Sequence, residues 1–298
     1  MINNINLARI LLIVVTCIWG ATFSEVQNTI SESIVINNNQ VIKLTPNLYL
    51  FFRFLIAALI TLFIIPRQGI KFTKDELIGG SLCGFLIFLG YYFQKTGLLS
   101  TSSGSAAFMT SISVIIVPII LWIFSINKIG WNVWIAIAIA FPGLWLVSGD
   151  FNIGDLLAFF CAVSFAVHII FQSIYNKKRV RVIHFFFVQA LACVLISFII
   201  AWIESDLISI PAVTSFSYPL VRSLFITSVL ASFIAFIIMI WAQKILDPVQ
   251  TVMIFSLEPV FTFMYDQMFL NKSILFSQWF GGIMVVIAII VSENKKNK

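Results

Sequence analysis

The chain has 298 residues, of which 60% are hydrophobic and only 10% are charged, whereas about 25% of a soluble domain is charged. Too few polar side chains are present to cover a surface in water, which excludes a soluble enzyme or binding module. The net charge of +6 does not indicate nucleic acid as a partner, because the Lys and Arg residues lie between apolar runs, where membrane topology explains them better.

Ten apolar runs follow one another along the chain, each close to the ~20 residues that cross a bilayer as a helix. They predict spans at 7–29, 48–65, 77–99, 101–125, 131–148, 153–175, 185–204, 217–243, 248–268 and 275–292. The boundary between the third and fourth spans is the weakest, since only Thr96-Gly97 and the polar run 100–105 interrupt the pattern. One broken segment in this place would give nine spans.

The distribution of Lys and Arg favours ten spans, with both termini in the cytoplasm of a multi-pass inner-membrane protein. Most cations then lie in cytoplasmic connections, including the cluster 177–181 and the terminal lysines, as the positive-inside rule requires. Nine spans would separate that cluster from the terminal lysines. The outer loops are acidic, with Asp150, Asp155, Glu204 and Asp206, and the Asn-rich stretch 31–47 is predicted to be a long, mobile outer loop.

The two halves of the sequence resemble each other. In the first half Pro118 is predicted to break span four and Gly143 follows; in the second, Glu258-Pro259 is followed by Gly281-Gly282. We predict an all-α integral membrane fold of ten transmembrane helices, made of two five-helix repeats at 1–150 and 151–298. Since each repeat has an odd number of spans, the repeats are inverted, as in many secondary transporters, whose sites lie at the repeat interface.

Short motifs carry a resemblance to the EamA-like family of the drug/metabolite transporter superfamily. They are Trp19-Gly20-Ala21-Thr22-Phe23, Phe52-Arg53-Phe54, Tyr91 to Leu98, Ser105-Ala106-Ala107-Phe108, Gly154-Asp155-Leu156-Leu157-Ala158 and Leu257-Glu258-Pro259-Val260. The Gly-Glu pair that often follows span nine in this family is absent, and Asp266 to Leu270 stand there. The resemblance, from about residue 7 to 292, implies ten helices in two EamA-type repeats and movement of small metabolites without ATP.

Four charged side chains fall in the outer parts of the predicted spans, where a charge costs free energy on insertion. Glu25 and Arg53 lie at similar depths and are predicted to be close together, either as a structural ion pair or at the mouth of a cavity. Lys95 and Asp266 lie near outer helix ends and are interpreted as interfacial side chains that reach toward water.

Glu258 is predicted to lie near the middle of the bilayer, because ten residues separate it from Pro248, about 15 Å along a helix. Desolvation there favours the neutral carboxyl, so Glu258 is a candidate site for a coupling proton. The structural alternative is a neutral carboxyl that is hydrogen-bonded to a neighbouring helix, beside the backbone bond that Pro259 removes. Trp19, Tyr91 and His168 fall at a similar depth and are predicted to line a pocket; for His168, a hydrogen bond between helices is the alternative.

We therefore predict a secondary transporter that moves small organic metabolites, such as amino acid-like compounds, across the membrane by alternating access. The predicted substrate-binding and translocation residues are Trp19, Glu25, Arg53, Tyr91, His168 and Glu258. The partners are then a small-molecule substrate, the lipid bilayer and protons as coupling ion, and no cofactor, metal or catalytic site is expected. The Phe residues, 31 in all, are interpreted as lipid-facing or packing side chains, and the four cysteines as small buried hydrophobes.

Two other function classes are alternatives to transport. The first is an integral-membrane enzyme that acts on lipid, which would need converging catalytic groups near one interface. The basic cluster 177–184 is the best candidate, but it is predicted to lack acidic partners. The second is a non-transporting membrane scaffold or receptor.

Overall fold

The computed structural model describes residues 4–31, 33–36, 40–43, 45–65, 69–146, 152–204, 218–271, 273 and 275–293. A helix occupies each predicted span, with bounds that agree to within a few residues. The first half contains α1 (Asn4–Ser31), α2 (Pro46–Leu62), α3 (Lys74–Leu98), α4 (Ser103–Ser111), α5 (Ser113–Ile123) and α6 (Trp131–Trp145). The second half contains α7 (Ile153–Asn176), α8 (Val182–Ile203), α9 (Tyr218–Phe225), a π-helical segment (Ile226–Ile234), α10 (Ala235–Ala242), α11 (Pro248–Phe255), α12 (Glu258–Leu270) and α13 (Phe276–Glu293).

The helices are apolar on the outside as well as in the core. In the part of the chain that the structure describes, six helical stretches are long and apolar enough to cross a membrane: Asn4–Thr29, Lys74–Leu98, Ser103–Ile123, Ile153–Asn176, Val182–Ile203 and Leu220–Ala242. Three shorter helices are also apolar. Large hydrophobic side chains such as Phe63, Trp131 and Phe276 are at least 80% exposed. Such a surface is suited to lipid, in which only backbone groups that bond within the protein are tolerated.

Helix ends meet at two opposite faces of the bundle. The face that carries residues 177–181 is called the basic face, and here Lys178 contacts Asp75 at the start of α3. The opposite face is called the hairpin face, because a β-hairpin, described below, follows α1 there. At this face Gln27, near the end of α1, donates a hydrogen bond to the carbonyl of Thr101, 2.7 Å away. The N-terminus of α1 therefore points toward the basic face.

Separate helices occupy the third and fourth predicted spans. α3 ends at Leu98, and Ser102 caps the start of α4 by accepting a hydrogen bond from the amide of Ser105 at 3.1 Å. Beyond α5, Asn127 lines a surface pocket together with Lys177 on the basic face. The chain thus turns at the hairpin face and returns to the basic face.

The predicted mobile loop 31–47 is instead partly a β-hairpin. Ser33–Ile36 (β1) and Gln40–Lys43 (β2) pair in antiparallel register, with Ser33 opposite Lys43 and Ile36 opposite Gln40. The β-branched residues in both segments favour strands. The loop was predicted instead because the stretch is rich in Asn. Residues 32, 37–39 and 44 of the stretch lie outside the described residues.

The basic cluster has acidic partners, which corrects the sequence-based expectation. Lys178 Nζ lies 2.9 Å from Asp75 Oδ1, and this hydrogen bond raises the pKa of the Lys178 ammonium group. Arg181 donates through Nε and Nη2 to the two carboxylate oxygens of Glu76, each at 2.8 Å. Glu76 also accepts from the amide of Thr73 in a capping box. These contacts join α3 to the connection between α7 and α8.

The two predicted halves approach closely at the hairpin face through glycines. A Cβ on Gly97 would lie 2.7 Å from the carbonyl oxygen of Gly154, and one on Gly154 would lie 2.5 Å from the carbonyl oxygen of Gly97. Small residues at such positions let membrane helices pack backbone to backbone. The predicted boundary between repeats, at 150 and 151, lies outside the described residues, as do Asp206 and the terminal lysines.

Three of the four cysteines are buried, as predicted, but Cys17 is exposed on α1. Its position in an apolar run does not reveal which side of the helix it occupies. In a bundle surrounded by lipid, apolar residues lie on the outer surface as well as in the core.

Candidate functional site

A narrow cavity lies between the two halves of the chain. It is lined by Trp19, Thr22, Phe23, Tyr91, Gln94, Thr110, Ser113, Phe165, His168, Ile169, Phe236, Met239, Phe255 and Glu258. Its lining is mostly apolar with a few placed polar groups, which is the composition of small-molecule pockets. Four of the six predicted site residues, Trp19, Tyr91, His168 and Glu258, thus line one cavity.

Two broken helices place polar groups at the cavity. In the first half the break is at Ile112, between α4 and α5; in the second, Ser256 and Leu257 separate α11 from α12. Ser113 and Glu258, the first residues of α5 and α12, both line the cavity. Pro118 was predicted to break span four, but it lies inside α5. The break falls at Ile112, six residues before Pro118.

Glu258 is buried in the cavity wall without a partner for its carboxyl. Its side chain is 6% exposed, and no described residue forms a hydrogen bond or an ion pair with the carboxyl group. Thr262 donates to its backbone carbonyl at 2.9 Å, not to its side chain. The described residues therefore give no support to the structural alternative, in which the carboxyl is hydrogen-bonded to a neighbouring helix. Pro259 lies in the first turn of α12, where a missing N–H costs nothing.

Gly20 allows α1 to pack directly on α12 beside Glu258. A Cβ on Gly20 would lie 2.8 Å from Cβ of Phe261 and 2.9 Å from the carbonyl oxygen of Glu258. Thr262 donates a hydrogen bond to the carbonyl of Gly20 at 2.9 Å. The glycine of the Trp19–Phe23 motif thus positions the cavity wall of the first half against that of the second.

Trp19 is held in the cavity wall by the π-helical segment. Its Nε1 donates to the carbonyl of Ala231 at 2.8 Å. Its ring packs against Phe255, at 5.0 Å between centroids, and against Phe236, at 5.5 Å. π-helical turns often occur at functional sites, and here the segment provides a carbonyl that fixes an aromatic side chain of another helix.

His168 connects the cavity to a chain of buried glutamines. Its Nε2 lies 3.4 Å from Oε1 of Gln189; Gln189 donates to Gln172 at 3.2 Å, and Gln172 donates to Gln243 at 2.7 Å. Gln243 also lines the surface pocket that contains Lys177 at the basic face. His168 therefore lines the cavity, as predicted, and also bonds to a neighbouring helix, which was the alternative.

Arg53 and Lys95 are both fully buried, and neither reaches water. Arg53 Nε donates to Ser232 Oγ at 2.7 Å, and its guanidinium carbon lies 4.0 Å from the centroid of the Tyr91 ring. Lys95 Nζ lies 3.4 Å from the centroid of the Tyr49 ring. Lys95 was interpreted as an interfacial side chain, and this is wrong, because the side chain is 0% exposed.

The predicted ion pair between Glu25 and Arg53 is not formed. Glu25 Oε1 instead accepts from Arg222 Nη2 at 2.6 Å and from the hydroxyl of Tyr265. Arg222 also donates to the hydroxyl of Tyr265 at 2.8 Å. The partner of Glu25 thus comes from α9, because the fold brings α1 against the second half at the hairpin face.

Two further carboxylates at the hairpin face accept hydrogen bonds from hydroxyl groups around the start of α4. Asp266 accepts from Ser24 and from Ser103, the latter at 3.0 Å. Asp155 accepts from Ser105 at 2.6 Å and from the neighbouring Thr101 at 2.5 Å. Asp266 was interpreted as interfacial, but it is 5% exposed, and its burial is compensated by these bonds.

Several cavity residues were missed by the sequence-based prediction. The phenylalanines were interpreted as lipid-facing or packing residues, yet Phe23, Phe165, Phe236 and Phe255 line the cavity. One signal was available, because Phe23 belongs to the same motif as Trp19. Among the described residues, no group of three His, Cys, Asp or Glu side chains is arranged to hold a metal ion.

Comparison with known proteins identifies the family. The model of the EamA-like transporter family matches residues 6–149 and again residues 152–293. The chain belongs to the EamA-like transporter family. With its apolar helices, it is a multi-pass membrane protein of the drug/metabolite transporter type, as the sequence motifs predicted.

One relative agrees with this assignment, and one solved structure shares the fold. A protein of Archaeoglobus fulgidus, described as an uncharacterized transporter, is 30% identical over 283 residues, which cover 94% of this chain and 83% of the relative. A solved crystal structure with 16% sequence identity covers 96% of this chain and 97% of its own, with a TM-score of 0.68. At that identity the likeness concerns the fold alone.

Proposed function

We propose that this EamA-like protein is a secondary transporter that moves small organic metabolites through its central cavity by alternating access. The observation that carries the proposal is the position of Glu258. A carboxyl without a partner, buried at the break between α11 and α12, faces a cavity between the two halves. An ionisable group within a membrane bundle is costly and therefore indicates a pathway for substrate or ion.

The proposed architecture is ten membrane crossings in two inverted repeats, 1–150 and 151–298. The two matches to one family model support it, and so do the two helix breaks at matching places in the halves. Broken helices near the midplane are typical of transporters with inverted repeats. The positive-inside rule places the basic face, and with it both termini, in the cytoplasm of an inner-membrane protein.

The cavity lining favours a substrate with an apolar or aromatic body and a polar end. Aromatic rings contributed by several helices surround the space, and Glu258 together with His168 and Gln94 provides polar groups. An amino acid-like compound or a related amine has this form. Glu258 would bind the polar end or carry the coupling proton, and Trp19 and Tyr91 would contact the body.

Uptake into proteoliposomes tests the proposal. The purified protein is reconstituted and screened with a panel of radiolabelled small metabolites, and at least one is expected to accumulate or exchange. Glu258→Gln is expected to alter that transport, whereas Glu204→Gln makes the same chemical change at an exposed residue outside the cavity and is expected to leave it unchanged.

The alternatives give different results in the same assay. A lipid-modifying enzyme would alter the lipids of the proteoliposomes and transport nothing, and a scaffold would do neither. Absence of transport across the whole panel, with correctly folded protein, would reject the proposed function.

A further inference from the structure

Arg53 and Lys95 are two buried cations for which the described chain provides no anion. Both side chains are 0% exposed. Neither forms an ion pair, and Arg53 Nη2 and Lys95 Nζ have no hydrogen-bond partner. Among the buried carboxyl groups, Glu76, Asp155 and Asp266 accept hydrogen bonds supplied by the fold, whereas Glu258 lines the cavity without one.

The two cations are arranged as a ladder between α2 and α3. Tyr49 and Arg53 are four residues apart on α2, and Tyr91 and Lys95 are four residues apart on α3, so each pair occupies one face of its helix. Arg53 lies over the ring of Tyr91, and Lys95 lies over the ring of Tyr49. The hydroxyl of Tyr49 is fixed by hydrogen bonds with Ser223 and Thr227, at 2.7 and 2.9 Å.

Contacts with aromatic rings do not replace an anion. A desolvated cation–π contact recovers only part of the desolvation penalty of a buried ion. Arg53 also retains an unused donor on a planar group whose geometry matches a carboxylate. A structure that keeps two such cations together is therefore suited to receive a negative group from outside the chain.

The ladder borders the cavity. Tyr91 contacts Arg53 and is also part of the cavity wall. A rotation of the Tyr91 side chain would therefore expose Arg53 to a ligand in the cavity.

We infer that Arg53 and Lys95 form the binding site for a carboxylate group of the transported substrate, with Tyr91 as the side chain that separates this site from the cavity. The inference rests on the proposed transport function and narrows it to monoanionic or zwitterionic carboxylates with an apolar body. A zwitterion would place its ammonium group toward Glu258, which lines the same cavity as Tyr91.

Thermal unfolding of the purified full chain in detergent tests the inference with simple probes. Benzoate and benzamide have the same ring, but only benzoate is charged. Benzoate is expected to raise the unfolding midpoint of the wild-type protein in a saturable manner, as a ligand of the native state does, and benzamide is not. Equal effects of the two compounds, or no effect of benzoate, would overturn the inference without any variant.

Substitutions then locate the effect. Arg53→Gln and Lys95→Gln are each expected to weaken the binding of benzoate at least tenfold, which is ~1.4 kcal/mol. Arg53→Lys retains the charge and is expected to lose less affinity. Lys178→Gln, at an exposed cation on the basic face, is the matched control and is expected to bind benzoate as the wild type does. Unchanged benzoate affinity in both Gln variants would overturn the site.

Chloride separates a substrate carboxylate from a free inorganic anion. It is compared with a bulky sulfonate at equal ionic strength. If chloride gives the full Arg53-dependent stabilisation and benzoate adds nothing, the site binds a small free anion and the carboxylate inference fails. If the reconstituted protein transports only amines without a carboxylate, the inference also fails while the proposed function stands.

Discussion

Glu25 pairs with Arg222 across the two halves of the molecule, with 2.6 Å between Oε1 and Nη2. Tyr265 bonds to both side chains, so α1, α9 and α12 are tied together at the hairpin face. Gln27 and Ser24, also on α1, form further contacts there with Thr101 and Asp266. The cavity is thus covered on the hairpin side by polar contacts that can be broken and remade in water.

Removing the Glu25 contact is expected to open the hairpin face more often. The pair is partly exposed, since the Arg222 side chain is 44% accessible, and such pairs contribute up to ~1 kcal/mol. Glu25→Gln should therefore raise the labelling rate of a cysteine at Thr22, in the cavity, up to about fivefold. The measurement uses an impermeant thiol reagent in intact cells, which reaches the hairpin face under the proposed topology.

The control for that experiment is Lys178→Gln, which breaks an exposed ion pair at the basic face. Its labelling rate at the Thr22 cysteine should equal that of the parent protein. If neither Glu25→Gln nor Arg222→Gln changes the rate, the contact does not help to close the hairpin face.

Substitution of Glu258 separates substrate binding from proton coupling. Glu258→Gln retains the shape and hydrogen-bonding capacity of the neutral acid but cannot titrate. If Glu258 carries the coupling proton, exchange of substrate at equal pH should persist while accumulation driven by a pH gradient is lost. Both rates are measured in the same proteoliposomes.

The opposite outcome for Glu258 is equally clear. Full accumulation driven by a pH gradient in the Gln variant would reject the proton role. Glu258→Leu then tests a purely polar role, because it removes the polar group from the cavity and should weaken substrate binding while the protein folds.

Gly20 is expected to tolerate no larger side chain. A branched side chain at Gly20 would overlap Phe261 and the carbonyl of Glu258, and overpacking of this kind costs about 1–3 kcal/mol. Gly20→Val should therefore lower the folded yield and the unfolding midpoint in detergent. Cys17→Val, on the exposed side of the same helix, should leave both unchanged, and a neutral result for Gly20→Val would show that α1 can move away from α12.

Cysteine labelling tests the orientation of the two faces. In a Cys17→Ser background, a cysteine at Ser100 reports the hairpin face and one at Lys178 reports the basic face; both positions are exposed. An impermeant thiol reagent should label Ser100→Cys in intact cells, and Lys178→Cys only after permeabilisation. The reverse pattern would invert the proposed topology.

The helical spans and the family were predictable from the sequence. The spans follow from the length and composition of apolar runs, because a bilayer imposes both on every crossing helix. The family followed from motifs such as Trp19–Phe23 and Leu257–Val260, whose order along the chain is visible without a fold. The similar depth of Trp19, Tyr91, His168 and Glu258 was also predictable, since depth along a helix follows from the rise per residue.

The partners of the charged residues were decided by the tertiary structure. Depth in the membrane is a function of position along one helix, but contact also depends on the rotation of that helix and on the identity of its neighbour. Glu25 and Arg53 have matching depths, yet Glu25 bonds to Arg222 and Arg53 lies on Tyr91. Apolar residues face both lipid and core in such a bundle. The sequence therefore determined how deep each side chain lies, and only the packing of the helices decided which of them meet at the cavity.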